Sequence, residues 1–143
     1  MGTLSKIGMA TLRIGVLVID PELAKSVDAT RAPYNLGGLS QAAAVWLFEN
    51  HGQVIKDQVA TVVSERTRLA DALQGKKGIQ RVYPSSANLL LLEVDDAPSI
   101  YQSLLEAGVS VRIFKDHPRL SRHLRITIGT PEDNDLLLNA WPS

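Results

Sequence analysis

The chain is predicted to be an α/β protein whose later part folds as a small sandwich of helices on a mixed or antiparallel sheet. Three observations carry this. From Gln53 to Leu73 apolar residues recur at Ile55, Val59, Val62, Leu69 and Leu73, which places them on one face of a helix of about six turns. The order beyond that helix is strand, strand, helix, strand, strand, helix, the alternation of an α/β layer structure. Near the start, Leu12 to Ile19 is a dense run of aliphatic residues, a pattern expected of a strand buried on both faces.

The elements follow in order. Asp20 caps a short helix opened by Pro21, a residue tolerated in a first turn. The stretch RAPYNLGGLS breaks the periodicity with Pro33, Asn35, Gly37 and Gly38 and reads as a plain turn. A helix runs from Ser40 to about Asn50 and is interrupted near His51-Gly52, before the long helix begins. QGKKG ends that helix with glycines and lysines, as an αL cap and the helix dipole prefer. Ile79 to Tyr83 and Ala87 to Val94 are strands around Pro84-Ser85-Ser86. Pro98 to Ala107 is a helix stopped by Gly108. Val109 to Phe114 and His123 to Ile128 are strands joined by the polar loop KDHPRLSR, and Thr130-Pro131-Glu132-Asp133 opens the last helix with a capping hydroxyl and two acids.

Composition narrows the function classes. The 143 residues fit one domain of ordinary size, and 45% hydrophobic content suffices for a core. Lys plus Arg number 15 against 15 Asp plus Glu, so the global field that draws a protein to nucleic acid or an anionic membrane is absent. Any anion must be held locally. There are no cysteines, which removes disulfides and thiolate chemistry and suits a reducing compartment. His51, His117 and His123 lack ligand spacing and read as surface or capping residues, so no metal site is expected. Apolar runs such as NLLLLEV are too short to span a bilayer, and the N-terminus lacks signal-peptide order. The sequence reads as a cytoplasmic protein.

Candidate chemistry sits at both ends. Leu124, Ile126 and Ile128 share one strand face, leaving His123, Arg125 and Thr127 on the other. Val109, Val111 and Ile113 likewise oppose Ser110 and Arg112. If these strands are neighbours, two guanidinium groups meet on one sheet face, which is unfavourable without an anion between them. Two readings follow: unrelated surface arginines, or a fork for carboxylate or phosphate. In TLSKIGMATLRIG, Lys6 is a candidate nucleophile toward an aldehyde, and Thr3, Ser5 and Arg13 are the donor types a phosphate needs. Such residue pairs are common, and the stretch alone has little specificity.

The whole chain is more specific. TLSKIGMATLRIG, APYNL, GVSVRIF and LRITIGTPEDN, in this order, resemble histidinol-phosphate aminotransferases and their relatives in fold type I of the pyridoxal-phosphate enzymes. The resemblance implies that Lys6 bonds the aldehyde of pyridoxal 5'-phosphate and shuttles a proton, and that Thr3, Ser5 and Arg13 cup its phosphate. It implies that Arg125 grips the substrate's anionic group with Arg112 assisting, which supplies the anion for the paired guanidinium groups. Residues 51–143 correspond to the family's small C-terminal domain, and residues 1–50 to a remnant of the cofactor-binding large domain with the start of the linking helix. Implied partners are an amino donor such as histidinol phosphate or a related amino acid, a 2-oxo acid, and a second copy in a homodimer. Family members are considerably longer. The aspartate at the pyridine nitrogen, the asparagine and tyrosine near the ring oxygen and a glycine-rich turn have no counterpart here, and Gly2 stands where many relatives have a basic residue. The chain therefore reads as a C-terminal portion, inactive by itself. The alternative is a non-catalytic folded module or an oligomer built from residues 21–143, motivated by the exposed apolar strand at residues 12–19, whose unpaired edges seek partners.

Other residues have structural readings. Tyr34 and Asn35 belong to the PYN segment but are not assigned to catalysis. Asn88 is expected to secure a strand start through its side chain. Trp46, Phe48 and Trp141 are expected as core or interface anchors. Glu65, Arg66 and Arg68 are expected on a solvated helix face.

Overall fold

A computed structural model describes residues 2–142. It divides into two compact units, Met1–Val59 and Ala60–Ser143.

In the first unit, β1 (Gly2–Thr3) pairs antiparallel with β2 (Gly15–Val16), with Thr3 opposite Gly15. Two short 3-10 turns, Leu4–Ile7 and Ala10–Leu12, lie between them. Leu4, Met9 and Ala44 form a small buried cluster, with Ile7, Leu12, Ile14, Leu47 and Ile55 packed on it. The extended strand expected over Leu12–Ile19 is not formed. Only Gly15–Val16 pairs, and Val16, Leu17 and Val18 are exposed. A strand buried on both faces requires strands beside it and layers above and below. Among the described residues, its strand partner is Gly2–Thr3, with one further backbone bond from Leu4 N to Ile14 O. Helix α1 (Pro21–Asp28) starts as the sequence predicts, with the Asp20 carboxylate accepting from the Glu22 amide at 2.9 Å. Helix α2 (Gly38–Gln74) is broken at His51, whose φ of −129° is non-helical. Trp46 and Phe48, expected as anchors, are exposed, and Trp46 stacks obliquely on His51 with ring centroids 4.7 Å apart.

The second unit contains the last turns of α2, strands β3 (Ile79–Val82) and β4 (Leu89–Val94), helix α3 (Ala97–Glu106), strands β5 (Arg112–Ile113) and β6 (His123–Thr127), and helix α4 (Pro131–Ala140). The sheet order is β3-β4-β6-β5 and every pairing is antiparallel. Alternation along the strands builds the core. Leu90, Leu92 and Val94 on β4 and Leu124 and Ile126 on β6 face inward onto Leu69 and Leu73 of α2, Leu104 of α3 and Leu137 of α4. Each fully buried leucine contributes about 1.5–3 kcal/mol. Trp141 closes the end of this core and donates its indole N–H to the Lys77 carbonyl at 3.1 Å.

Arg68 is exposed as the sequence suggests, whereas Glu65 does not lie on a solvated face. Glu65 is buried and accepts two bonds from the Arg68 guanidinium, at 2.9 and 2.7 Å, and one from the Asn134 amide at 2.8 Å. Arg68 also bonds Asp135 at 2.7 Å. An acid at this point of the helical pattern meets α4, which supplies its partners from a distant stretch of sequence. Asn134 in turn bonds both backbone groups of Gly129. A side chain at Gly129 would collide with Asp133, whose Cβ lies 2.7 Å from an added methyl. Asp133 is needed there because it completes the capping box with Thr130. Gly78 serves the other end of the core, since its φ of +79° suits the turn into β3. Asn88 holds its neighbour through the main chain, its carbonyl accepting from Ile128 N at 3.0 Å, rather than through its side chain.

The Arg68 and Asn134 bonds hold the Glu65 carboxyl below its ordinary value of 4.5. A depressed carboxyl stabilises the fold above its unfolded pKa, and that contribution is lost as pH falls through the folded value. Glu65→Gln is expected to lower the thermal midpoint near neutral pH and to lose less on acidification from about pH 6 to about pH 3 than the parent. Leu92→Ala should destabilise by about 2–5 kcal/mol in chemical denaturation, because the site is fully enclosed.

Candidate functional site

The antiparallel register of β5 on β6 sets Arg112 directly opposite Arg125. Side chains opposite one another on a sheet face have Cβ atoms about 4.5–5.5 Å apart. Both arginines are exposed, and neither has a hydrogen-bond or ion-pair partner among the described residues. The alternation expected for both strands is observed, with Leu124, Ile126 and Ile128 buried and Arg125 and Thr127 outward. The pair lines a cavity of about 360 Å³ together with Tyr101, Ser110 and Thr127. Two fixed positive charges and three hydroxyls, with no carboxylate, make a receptor for an anion.

Farther along the same sheet face, His123 stands opposite Glu93. It is half-buried and bonded, in contrast to the surface role expected of it. The Tyr83 hydroxyl donates to Glu93 Oε2 at 3.3 Å and lies 3.4 Å from His123 Nε2. His123 Nδ1 is buried and has no hydrogen-bond partner among the described residues. Arg81 covers the Tyr83 ring, 4.6 Å from its centroid. Cross-strand register, which period-2 alternation alone does not supply, is the signal that would have found this chain.

The N-terminal candidates lie in the first unit. Thr3 caps the first 3-10 turn, accepting from Ser5 N at 3.2 Å, and the two hydroxyls are 3.0 Å apart. Leu4 N donates to Ile14 O at 3.1 Å, which ties the segment around Lys6 to the strand that follows Arg13. Lys6 is exposed, and its amine has no partner among the described residues. Arg13 adopts a left-handed backbone, φ 58°, uncommon for a residue with a side chain. Its guanidinium folds back onto the Ala10 carbonyl at 3.3 Å and lines a groove of about 650 Å³ with Leu17, Lys25 and Arg31. Thr3, Ser5 and Lys6 are absent from that lining. Thr3 and Ser5 are thus brought together, and the residue after Arg13 is tied to them by Leu4 N and by the Thr3 hydroxyl, which donates to Ile14 O at 3.4 Å. Among the described residues, no three His, Asp or Glu side chains gather as metal ligands, and no helix is long and apolar enough to cross a membrane.

A family model described as aminotransferase class I and II matches residues 1–140. The chain belongs to that family. It is 43% identical over 98% of its length to a histidinol-phosphate aminotransferase of Hydrogenobaculum sp., covering 40% of that protein. A histidinol-phosphate aminotransferase of Ralstonia nicotianae is 41% identical over 99% of the chain, which covers 37% of it. The solved histidinol-phosphate aminotransferase of Sinorhizobium meliloti, in complex with pyridoxal-5'-phosphate, matches 96% of this chain and is covered to 38%, with 26% identity and a TM-score of 0.79. The chain therefore spans about two fifths of the length of these relatives. The fold is that of the corresponding part of a fold type I aminotransferase.

If Arg112 and Arg125 repel one another when no anion lies between them, replacing either relieves strain. Arg112→Gln and Arg125→Gln are each expected to raise stability by up to about 1 kcal/mol in low-salt, phosphate-free buffer. The double variant should gain less than the sum, as read from a double-mutant cycle by chemical denaturation.

Proposed function

We propose that this chain carries two working parts of a pyridoxal-phosphate-dependent aminotransferase. The complete enzyme moves an amino group between histidinol phosphate, or a related amino acid, and a 2-oxo acid. The observation that carries the reading is the placement of Arg112 opposite Arg125 without an acidic partner, in a chain of the aminotransferase class I and II family. The resemblance to curated histidinol-phosphate aminotransferases supports the choice of amino donor.

The N-terminal donor set fits the cofactor. Thr3 and Ser5 present adjacent hydroxyls, Arg13 brings a guanidinium, and Lys6 brings an unpartnered amine; these are the groups an aldehyde bearing a phosphate requires. Thr3, Ser5 and Arg13 would hold the phosphate and Lys6 the aldehyde carbon. When bound, the cofactor supplies an electron sink for a carbanion. Lys6 takes the proton from the substrate α-carbon and returns it. Arg112 and Arg125 bind the anionic group of the substrate and orient the reacting carbon, so that binding energy remote from the chemistry is used for positioning. The left-handed backbone of Arg13 fits a residue held by its neighbours for a task.

A homodimer and a cytoplasmic setting belong to the same proposal. By itself the 143-residue chain is taken to be inactive. The exposed Val16, Leu17 and Val18 favour a second reading for that isolated form, a folded module that self-associates.

The test uses the protein in which this segment is joined to the portion its relatives carry ahead of it. Lys6→Ala is expected to abolish both the cofactor's absorbance and transamination between histidinol phosphate and 2-oxoglutarate. Retention of both would refute the assignment. In the isolated chain, borohydride reduction with pyridoxal phosphate should label lysines diffusely, and stoichiometric labelling at Lys6 alone would overturn its inactivity.

A further inference from the structure

The buried polar network between α2 and α4 ends on the strand that carries Arg125. Asn134 is 2% exposed. Its Oδ1 accepts from Gly129 N at 3.1 Å, and its Nδ2 donates to Gly129 O at 3.2 Å and to Glu65 Oε2 at 2.8 Å. An amide that holds both backbone groups of one residue acts as a further rung of the sheet, placed just beyond Thr127, where the β4–β6 ladder stops. Glu65 fixes which end of that amide donates, because a carboxylate only accepts. The next residue of α2 ties the neighbouring strand: Arg66 Nη1 donates to Ala87 O at 3.1 Å, and Asn88 O accepts from Ile128 N at 3.0 Å. Adjacent residues of α2 thus anchor the start of β4 and the end of β6. Stability alone does not call for a charged network here, since an apolar pair of similar size would pack without the desolvation cost of a buried carboxylate. What directional bonds add is position.

We infer that Asn134, held by Glu65, is a positioning residue for the anion receptor: it pins the end of β6 at Gly129 and so sets the place of Thr127 and Arg125 on the outward face. Strand β5 shows why the receptor depends on this. It pairs with β6 over Arg112 and Ile113, so Arg112 takes its place from β6, and a shift of β6 moves both guanidinium groups together with the Thr127 hydroxyl that lines the same cavity. The inward aliphatic residues choose which residues pair. The clamp at Gly129 fixes where the paired strand ends. The inference rests on the anion-receptor reading of Arg112 and Arg125, and concerns what holds that receptor in shape.

The test compares binding of inorganic phosphate with stability in the parent chain, in Asn134→Leu and in the double variant Glu65→Leu/Asn134→Leu. Binding is followed on the Arg125 Nε–H resonance at constant ionic strength, and stability by chemical denaturation. Asn134→Leu leaves the buried Glu65 carboxylate one partner short, whereas the double variant removes that carboxylate and should regain part of the lost stability. Position is not regained with it. Both variants are expected to weaken phosphate by about three- to tenfold and to displace the Arg125 resonance before any anion is added. Loss of the Glu65 charge would by itself favour an anion, so weakening in the double variant reports geometry. If affinity recovers with stability in the double variant, or if both variants bind phosphate within about twofold of the parent, Asn134 supports the fold without positioning the receptor, and the receptor stands. Should Asn134→Leu not fold, the double variant decides by the same twofold limit, and a double variant that does not fold either assigns the pair to the core and overturns the inference. If the parent shows no saturable phosphate binding, or Arg125→Gln leaves it intact, the receptor falls and this inference with it.

Discussion

The short pairing of β5 with β6 puts two like charges face to face where no acid of the described chain reaches them. Sheets ordinarily avoid this, because opposed like charges cost free energy that the surrounding packing has to offset. That packing is present: the residues flanking each arginine, Val111 and Ile113 on one strand and Leu124 and Ile126 on the other, are turned to the core. The backbone register is fixed by inward aliphatic residues, and the outward arginines inherit their opposition from it. The site is thus a consequence of the fold. Slipping β5 by one residue against β6 would turn Arg112 toward the core and Ile113 toward solvent, which is why the arrangement is held firmly.

The first unit shows a different relation between sequence and fold. Its buried cluster is small, and large aliphatic and aromatic side chains such as Val18, Tyr34 and Leu39 are almost fully exposed. Short pairing, cap bonds and the backbone tie from Leu4 to Ile14 hold the candidate cofactor residues in place. The apolar run after Gly15 has more hydrophobic surface than this unit can cover.

Much of this was legible in the residue pattern. The period of 3.6 in α2, the break at His51, the capping box at Thr130 and the period of 2 in β4 and β6 are local signals, and local physics decides them. The facing of Arg112 and Arg125 was legible too, since alternation specifies the side of the sheet. What alternation could not supply is register and long-range contact. The Glu65 network depends on α4 returning to α2, and His123 reaches Tyr83 and Glu93 through the pairing of β6 with β4, strands far apart in sequence. The expected strand at Leu12–Ile19 failed for a related reason: aliphatic character states a preference for burial, and the described chain has no layers there to satisfy it. The left-handed backbone of Arg13 and its fold onto Ala10 have no signature in the sequence.

The central claim is that the two opposed arginines act as one receptor. It is met most directly by following the guanidinium Nε–H resonances of Arg112 and Arg125 by nitrogen-15 NMR as inorganic phosphate is added at constant ionic strength. A shared receptor predicts that both resonances move together, along one isotherm with a single dissociation constant and one phosphate per chain. Independent curves with different constants, or shifts no larger than those of Arg119 in the exposed loop, would contradict it.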